Sequence, residues 1–453
     1  MSTRAGTGAA ARDVDQDIDR DVDRDVDRDV DRDVDRDVDP DTVPPAGRPA
    51  ALRVGPWVLA GFALYAALLA YLTKLPCRLV TWEQPETFRQ LCYSDLPTLY
   101  ASRGMAEGRF PYLDASALLE YPVLQTVVAS ATGVLAHAVD PFASEHVGQG
   151  IYFDLNAVLL AGVWVAVVLV LGRMVAHPGH AVLAALAPAV VVTGLINWDL
   201  WPVLCTVAAL LAFRRERWGL GGVLLGVGTA FKLFPFLLLG AVFVLAVRRR
   251  EAGPALRAAA GAAGAWAAVN LPFALLDPVQ WGWFWQFSQD RGAGFSSVWH
   301  WWNDVAAPRL DVPLLSAEGV NVLALAGFAL ACVLILVLGL VAREEPRLEQ
   351  LAFLVLAAFV LSNKVYSPQF VIWLVPLVLL ARPRVGEFVV WQLVEVLHWA
   401  AVFHWLGHLT GGGDGLALAE DVYFTAVALH TLAVGYLVVR VAADVLRGRR
   451  ASP

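Results

Sequence analysis

The chain has 453 residues, of which 58% are hydrophobic and only 17% charged, with a mean hydropathy of +0.58. Soluble proteins carry roughly a quarter charged residues, and apolar runs almost free of charge recur here from Gly55 onward. The composition therefore predicts a polytopic membrane protein and excludes a soluble enzyme, a secreted disulfide-rich domain and a nucleic-acid-binding protein. The net charge of −7 is local, because segment 12–41 holds 15 Asp and 6 Arg and leaves +2 for the rest.

Residues 1–54 precede the first apolar run and carry an Asp-Val-Asp-Arg repeat between Asp21 and Asp37. Aspartate at every second position repels itself and offers no continuous apolar face, which predicts a disordered cytoplasmic tail. The tail is either functional, as an acidic interaction segment or a store of divalent ions, or a neutral repeat expansion, and we favour the neutral expansion. The first apolar run begins too far into the chain for a cleaved signal peptide, so we expect it to remain as a span.

Hydropathy predicts candidate spans at 55–72, 121–139, 151–172, 182–197, 200–213, 219–231, 233–247, 254–276, 320–342, 348–361, 368–381, 386–406 and 422–440. Arginine clusters after every second span indicate cytoplasmic loops. This pattern puts Arg173 inside, whereas three crossings from a cytoplasmic tail would put it outside. Either the tail is external, or one of the three candidates before Arg173 does not cross, and we favour the second. Segment 121–139 is the most polar of them, and we predict a re-entrant or interfacial helix there on the outer face. Twelve crossings remain, with both termini in the cytoplasm.

The predicted protein is all-α and has several parts. They are the tail 1–54, a transmembrane module 55–276 with a first outer loop 73–150, a Trp-rich outer loop 277–319, C-terminal transmembrane helices 320–440, and a basic cytoplasmic tail 441–453.

The first outer loop contains the candidate catalytic carboxylate. Asp95 lies beside the predicted membrane surface among aromatic residues and prolines, which makes it a candidate general base. It equally suits a helix N-cap, a role that Ser94 can also fill. Other polar residues of this predicted outer face are candidates for binding a sugar or an acceptor, namely Tyr93, Arg103, Glu120, Tyr121 and Asp199. For Asp199 a helix cap is the favoured alternative.

Lysine is scarce, since Lys74, Lys232 and Lys364 are the only lysines among 34 basic residues. A cation inside apolar sequence is costly and is usually functional or paired. On the predicted topology Lys232, Lys364 and Arg291 reach the outer boundary together, where they suit a phosphate carried on a lipid. The alternative is that each side chain reaches out to the lipid headgroups.

The loop 277–319 is dense in tryptophan around His300. An aromatic belt at the membrane interface explains most of these residues. The functional alternative is a surface on which sugar rings stack, with His300 as a candidate for binding a sugar hydroxyl. His398, His404 and His408 lie on one predicted span, and His404 and His408 have a spacing that binds metals. We identify no acidic or cysteine partner near them in sequence, so we expect histidines that are hydrogen-bonded or face the outside, and no metal site. Cys77 and Cys92 share the first outer loop, where oxidising conditions predict a disulfide.

Five sequence motifs resemble, in the same order, those of GT-C glycosyltransferases. They are Tyr-Ser-Asp at 93–95, Glu-Gly-Arg-Phe-Pro-Tyr at 107–112, Glu-Tyr-Pro at 120–122, Lys-Leu-Phe-Pro at 232–235 and Asn-Lys-Val-Tyr-Ser-Pro-Gln-Phe-Val-Ile-Trp-Leu at 363–374. The nearest group is the actinobacterial polyprenyl-phosphate-mannose-dependent alpha-mannosyltransferases of glycosyltransferase family 87. The likeness runs from about Gly55 to Ala381.

The resemblance implies a GT-C-like bundle of about twelve transmembrane helices with juxtamembrane helices on the outer face. It implies Asp95 as catalytic base, and it maps family motifs onto Lys232–Pro235 and onto Asn363–Gln369, which adds Gln369 to the candidate binding residues. Relatives often carry a second aspartate where this chain has Pro97. This difference weakens the case for a metal on the loop.

The function implied by the resemblance is that of an inverting glycosyltransferase in the plasma membrane. It would move a sugar, with mannose favoured, from polyprenyl phosphate to a glycolipid or glycan acceptor on the outer face, with no cofactor. The alternative is a transporter or flippase of a lipid-linked or polar substrate, as many spans and broken helices are typical of transporters. Against it, the polar groups are predicted to gather on one side and not at the midplane.

Overall fold

The computed structural model describes residues 54–411 and 420–448. The acidic repeat and the end of the basic tail lie outside these residues, so the expectations for both tails stay predictions. The described residues form helices and connections and contain no strand, which confirms the all-α prediction.

The α-helices are, in chain order, α1 (Pro56–Leu79), α2 (Glu86–Arg89), α3 (Asp95–Ser102), α4 (Val123–Val139), α5 (Glu145–Gly172), α6 (Pro178–Ala185), α7 (Pro188–Thr193), α8 (Leu200–Arg214), α9 (Trp218–Phe231), α10 (Leu238–Arg249), α11 (Gly253–Leu276), α12 (Pro278–Asp290), α13 (Val298–Trp301), α14 (Ala307–Leu310), α15 (Ala317–Val341), α16 (Leu348–Ser362), α17 (Val371–Ala381), α18 (Val385–Leu409) and α19 (Glu420–Arg447). Short 3₁₀ turns at Phe234–Leu237 and Pro368–Phe370 precede α10 and α17.

Six of the described helices, α1, α5, α11, α15, α18 and α19, are long and apolar enough to cross a membrane. A spanning helix needs about 20 apolar residues. The other apolar helical segments of the described chain, α4 among them, have 10–17 residues. The protein is therefore a multi-pass membrane protein, whereas twelve crossings and a non-crossing α4 stay predictions.

One predicted span differs from the structure. Segment 182–197 is not a single helix, because α6 ends at Ala185 and α7 begins at Pro188. The break lies at Ala187, whose ψ of 116° is not helical. The next residue is Pro188, and a proline disfavours the helical conformation of the residue before it. The break predicted between spans 219–231 and 233–247 is present: α9 ends at Phe231 and leaves Lys232 in extended conformation.

The core contains helices that are buried all round. Every residue of α17 is buried, as are most residues of α16, which fits the apolar sequence of α17 and the apolar run 351–361 of α16. Helices α9 and α11 approach closely through small residues. A Cβ on Gly222 would lie 2.0 Å from the Ala258 carbonyl oxygen, and one on Gly226 would lie 2.3 Å from that of Ala262. This small-residue packing fixes the end of α9 that carries Lys232.

Candidate active site

The start of α3 places Asp95. Ser94 is the N-cap, and its hydroxyl oxygen accepts a hydrogen bond from the Leu96 backbone N–H at 3.2 Å. The Ser94 hydroxyl donates to the Leu195 carbonyl at 2.7 Å, and the Asp95 N–H donates to the Ile196 carbonyl at 2.8 Å. Ser94 thus performs the capping, and the Asp95 carboxylate is left for other partners.

Two tyrosines hold the Asp95 carboxylate. The Tyr93 hydroxyl donates to it at 2.8 Å and the Tyr121 hydroxyl at 3.3 Å. Burial raises the pKa of Asp95, and the two phenols and the charge of Lys232 lower it by less, so the net direction is upward. A carboxylate with a raised pKa is a better proton acceptor near neutral pH than an ordinary aspartate.

An ion pair with a fully buried carboxylate and a partly buried ammonium lies beside Asp95. The Lys232 ammonium is 2.6 Å from an oxygen of Asp199, and the other oxygen of Asp199 accepts from the Trp373 indole N–H at 2.9 Å. Lys232 also faces the rings of Tyr121 at 5.5 Å and Phe370 at 5.6 Å. Tyr121 therefore links Asp95 to the Lys232–Asp199 pair, because its hydroxyl donates to Asp95 and its ring faces the Lys232 ammonium.

The prediction that Asp199 caps a helix is wrong. Asp199 is at the N-cap position of α8, but its side chain makes no capping hydrogen bond. Its carboxylate is fully buried and pairs with Lys232, 33 residues away in sequence. A buried charge is stable only when it is paired and hydrogen-bonded, and this requirement decides the role of Asp199.

Charged residues surround the tyrosines. Arg103 and Glu120 form an ion pair at 2.9 Å, next to Tyr121 in the chain. The charges of Glu120 and Arg291 both act on the Tyr93 phenol, whose pKa burial raises well above its usual range. Arg291 is exposed, and its guanidinium has no hydrogen-bond or ion-pair partner among the described residues. It is therefore available to an anion.

Lys364 is not the available cation that the sequence predicts, because backbone carbonyls occupy its ammonium. Its ammonium donates to the backbone carbonyls of Gln289 at 3.1 Å and Arg291 at 2.6 Å. Its own carbonyl accepts from the Gly294 N–H at 2.8 Å. Burial lowers the pKa of Lys364. In this structure Lys364 fixes the segment that carries Arg291.

The remaining predicted residues lie in other surroundings. His300 is 2.7 Å from Asp304 and packs against the ring of Phe295 at 5.2 Å. Gln369 is buried in the turn before α17. Trp299, one of the tryptophans of the loop, donates to the Ser362 carbonyl at 2.8 Å and so has a structural contact.

Cys77 and Cys92 form a disulfide with their Cα atoms 5.8 Å apart. The bond joins α1 to the segment immediately before Tyr93. It therefore ties the chain that carries Asp95 to the first long helix.

Three site features are not among the residues predicted from the sequence. Phe370 and Trp373 stack at 3.8 Å and complete the surroundings of Lys232. Their signal was membership of the 363–374 motif. Lys74 is the third. The scarcity of lysine in the chain indicates that it matters, but no residue near it in sequence suggests which group it binds. The structure buries it completely, beside Tyr93.

One group of described residues has ligand types suited to a metal ion, Glu395, His398 and His430, all fully or almost fully buried. His430 contacts the Glu395 carboxylate at 3.2 Å, whereas His398 lies 3.9 Å from it and neither of its nitrogens has a hydrogen-bond partner among the described residues. The two imidazoles stack at 3.7 Å with an interplanar angle of 7°. Lone pairs lie in the ring planes, so one ring must turn before both reach a single ion. The sequence prediction missed this group: Glu395 lies three residues before His398 on α18, and packing alone brings His430 of α19 to them.

Comparison with known families gives one match. The model of glycosyltransferase family 87 matches residues 121–362, which is more than half of the chain. This range includes Tyr121, Asp199, Lys232 and Arg291, and begins after Asp95. No curated protein matches the chain.

Proposed function

The chain belongs to glycosyltransferase family 87, and from this premise we propose that it transfers mannose, with inversion, from polyprenyl-phosphate mannose to a glycolipid or glycan acceptor. The product is alpha-linked because the donor is beta-linked. The proposed location is the plasma membrane, with both termini in the cytoplasm and the site on the extracytoplasmic face. The membership supports a glycosyltransferase, and the sugar, lipid and acceptor are our proposal.

The observation that carries this proposal is the bridge formed by Tyr121. It places a carboxylate of raised pKa, Asp95, next to a partly buried lysine, Lys232. Transfer of a sugar from a phosphate needs a base for the attacking hydroxyl and positive charge for the leaving phosphate. Both types of group meet here around one phenol.

Asp95 acts as the base in the proposed mechanism. Its carboxylate accepts the proton of the acceptor hydroxyl as the oxygen forms a bond to C1 of the donor sugar. The bond from C1 to the phosphate oxygen breaks on the opposite face, and its electron pair leaves with polyprenyl phosphate. In-line displacement of this kind inverts the anomeric centre. Tyr93 and Tyr121 orient the carboxylate through their hydroxyl groups.

Positive charge for the leaving phosphate comes from side chains in this mechanism. The Lys232 ammonium keeps donors beyond the one that binds Asp199, and Arg291 is exposed and without a partner among the described residues. Lys364 contributes by holding the backbone of Arg291. Arg103 and Glu120 border the tyrosines, and we propose that they bind sugar hydroxyls, with His300 and Gln369 as more distant candidates.

The test is transfer of radiolabelled mannose from polyprenyl-phosphate mannose into a native lipid extract. Wild type is compared with Asp95→Asn and with Asp311→Asn, which makes the same change at an exposed position. We expect transfer by wild type and Asp311→Asn and a loss of at least a hundredfold in Asp95→Asn. Equal transfer by Asp95→Asn would refute the assigned base. Movement of the lipid across vesicles without any sugar transfer would favour the transporter alternative.

A further inference from the structure

Lys74 is a lysine with no exposed surface. It lies on α1, and its ammonium donates to the carbonyl oxygens of Tyr93 at 3.0 Å and Val192 at 3.3 Å. The ring of Trp399 is 5.9 Å away. These contacts are all neutral. Because a buried ammonium without a counter-charge is costly, its presence calls for a nearby anion.

The carboxylate linked to Lys74 by hydrogen bonds is that of Asp95, since Lys74 donates to the carbonyl of Tyr93 and the hydroxyl of Tyr93 donates to Asp95. The other acceptor, Val192, lies in α7, just before the residues that receive the Ser94 and Asp95 hydrogen bonds. Lys74 thus joins the segment that carries Asp95 to segment 192–196, which accepts the hydrogen bonds of Ser94 and Asp95.

A second attachment lies on the same face of α1. Cys77 follows Lys74 by three residues, which on a helix puts both on one face. Its disulfide partner Cys92 precedes Tyr93, the partner of Lys74. The segment before Asp95 is therefore held to α1 twice, once covalently without charge and once by a cation.

We propose that Lys74 is a positioning residue for Asp95, and that its buried charge favours the ionised carboxylate. This inference rests on the proposed function of Asp95 as base. It assigns two effects to one side chain: the hydrogen bonds set where the carboxylate lies, and the positive charge keeps it ready to accept a proton. The disulfide supplies only the first effect, so the two attachments can be separated by experiment.

The experiment compares pH–rate profiles for sugar transfer in four proteins. They are wild type, Lys74→Gln, Lys74→Met and the double variant Cys77→Ser/Cys92→Ser. Glutamine retains donors for the two carbonyls but removes the charge. In Lys74→Gln we expect the acid limb of kcat to move upward by about 1 pH unit, because a lost positive charge makes protonation of a nearby carboxylate easier. Lys74→Met should show the same shift and a kcat at least tenfold lower.

The disulfide-free variant is the matched control, because it loosens the same segment and keeps the charge. We expect its acid limb at the wild-type pH, even if kcat falls. An unshifted limb in Lys74→Gln would overturn the inference, as would an equal shift in the disulfide-free variant. If Lys74→Met does not fold, Lys74→Gln alone decides. Activity in Asp95→Asn would instead refute the proposed base itself, so the two failures are distinguishable.

Discussion

Removing the negative charge of Asp199 should destabilise the protein strongly. The Asp199 side chain has no exposed surface, and Lys232, its partner at 2.6 Å, is 18% exposed. Water therefore cannot replace the lost partner effectively. The change Asp199→Asn is nearly isosteric and leaves an oxygen that can still accept from Trp373. It therefore tests the charge with little change in shape.

The magnitude follows from the geometry. At 2.6 Å the attraction between unit charges is about 6 kcal/mol at an effective dielectric constant of about 20. Desolvation of both ions offsets much of it, so the pair as a whole contributes little. Breaking a buried pair from one side costs about 3–5 kcal/mol, because the remaining charge keeps its desolvation penalty. We expect Asp199→Asn to lose about that much stability.

The assay is unfolding in mixed detergent micelles, followed for Asp199→Asn, Lys232→Met and the double variant. The double variant should be more stable than the sum of the single losses predicts, because it contains no unpaired buried charge. It should still be inactive, since Lys232 is part of the proposed phosphate site. An Asp199→Asn protein as stable as wild type, or strict additivity in the double variant, would refute the ion-pair reasoning.

Three further outcomes are expected. The rate of sugar transfer should fall as pH drops through a pKa above about 4, the usual aspartate value, because Asp95 must be ionised and its pKa is raised; a pH–rate profile flat to pH 4 would contradict this. Gly226→Ala should cost about 3 kcal/mol, whereas Gly219→Ala, where nothing lies within 4 Å, should be nearly neutral in the same unfolding assay. Glu395→Leu should lower the free energy of unfolding by about 1–3 kcal/mol for each of the two buried groups that lose their partner, the Trp391 indole and the His430 imidazole. Unchanged unfolding would exclude that network.

Much of the architecture could be predicted because its causes are local. Apolar runs predict the long helices, and Pro235 after Lys232 predicts the break after α9. The split between α6 and α7 also has a local cause, Pro188, although the hydropathy of the segment concealed it. The order of the motifs was sufficient to indicate the family, and the family model supports it over 121–362.

The chemistry of the candidate site could be predicted only in part. Sequence reasoning selected Asp95 but left open whether it or Ser94 capped α3, and the hydrogen bonds of Ser94 decide that point. It selected Lys364 as an available cation, whereas the carbonyls of the 289–291 segment occupy its ammonium. In both cases the deciding partner includes a backbone group that no side-chain motif reveals.

By itself, the sequence determined that this protein is helical, multi-pass and a member of its family, since hydropathy and motifs are read from neighbouring residues. The tertiary structure alone decided the pairings: Lys232 with Asp199, Tyr121 with Asp95, and Lys74 with the Tyr93 carbonyl. The physical reason is burial. Helix packing removes these groups from water, and each charge or donor must then take the partner that the packing brings within hydrogen-bond distance, however far away it lies in the chain.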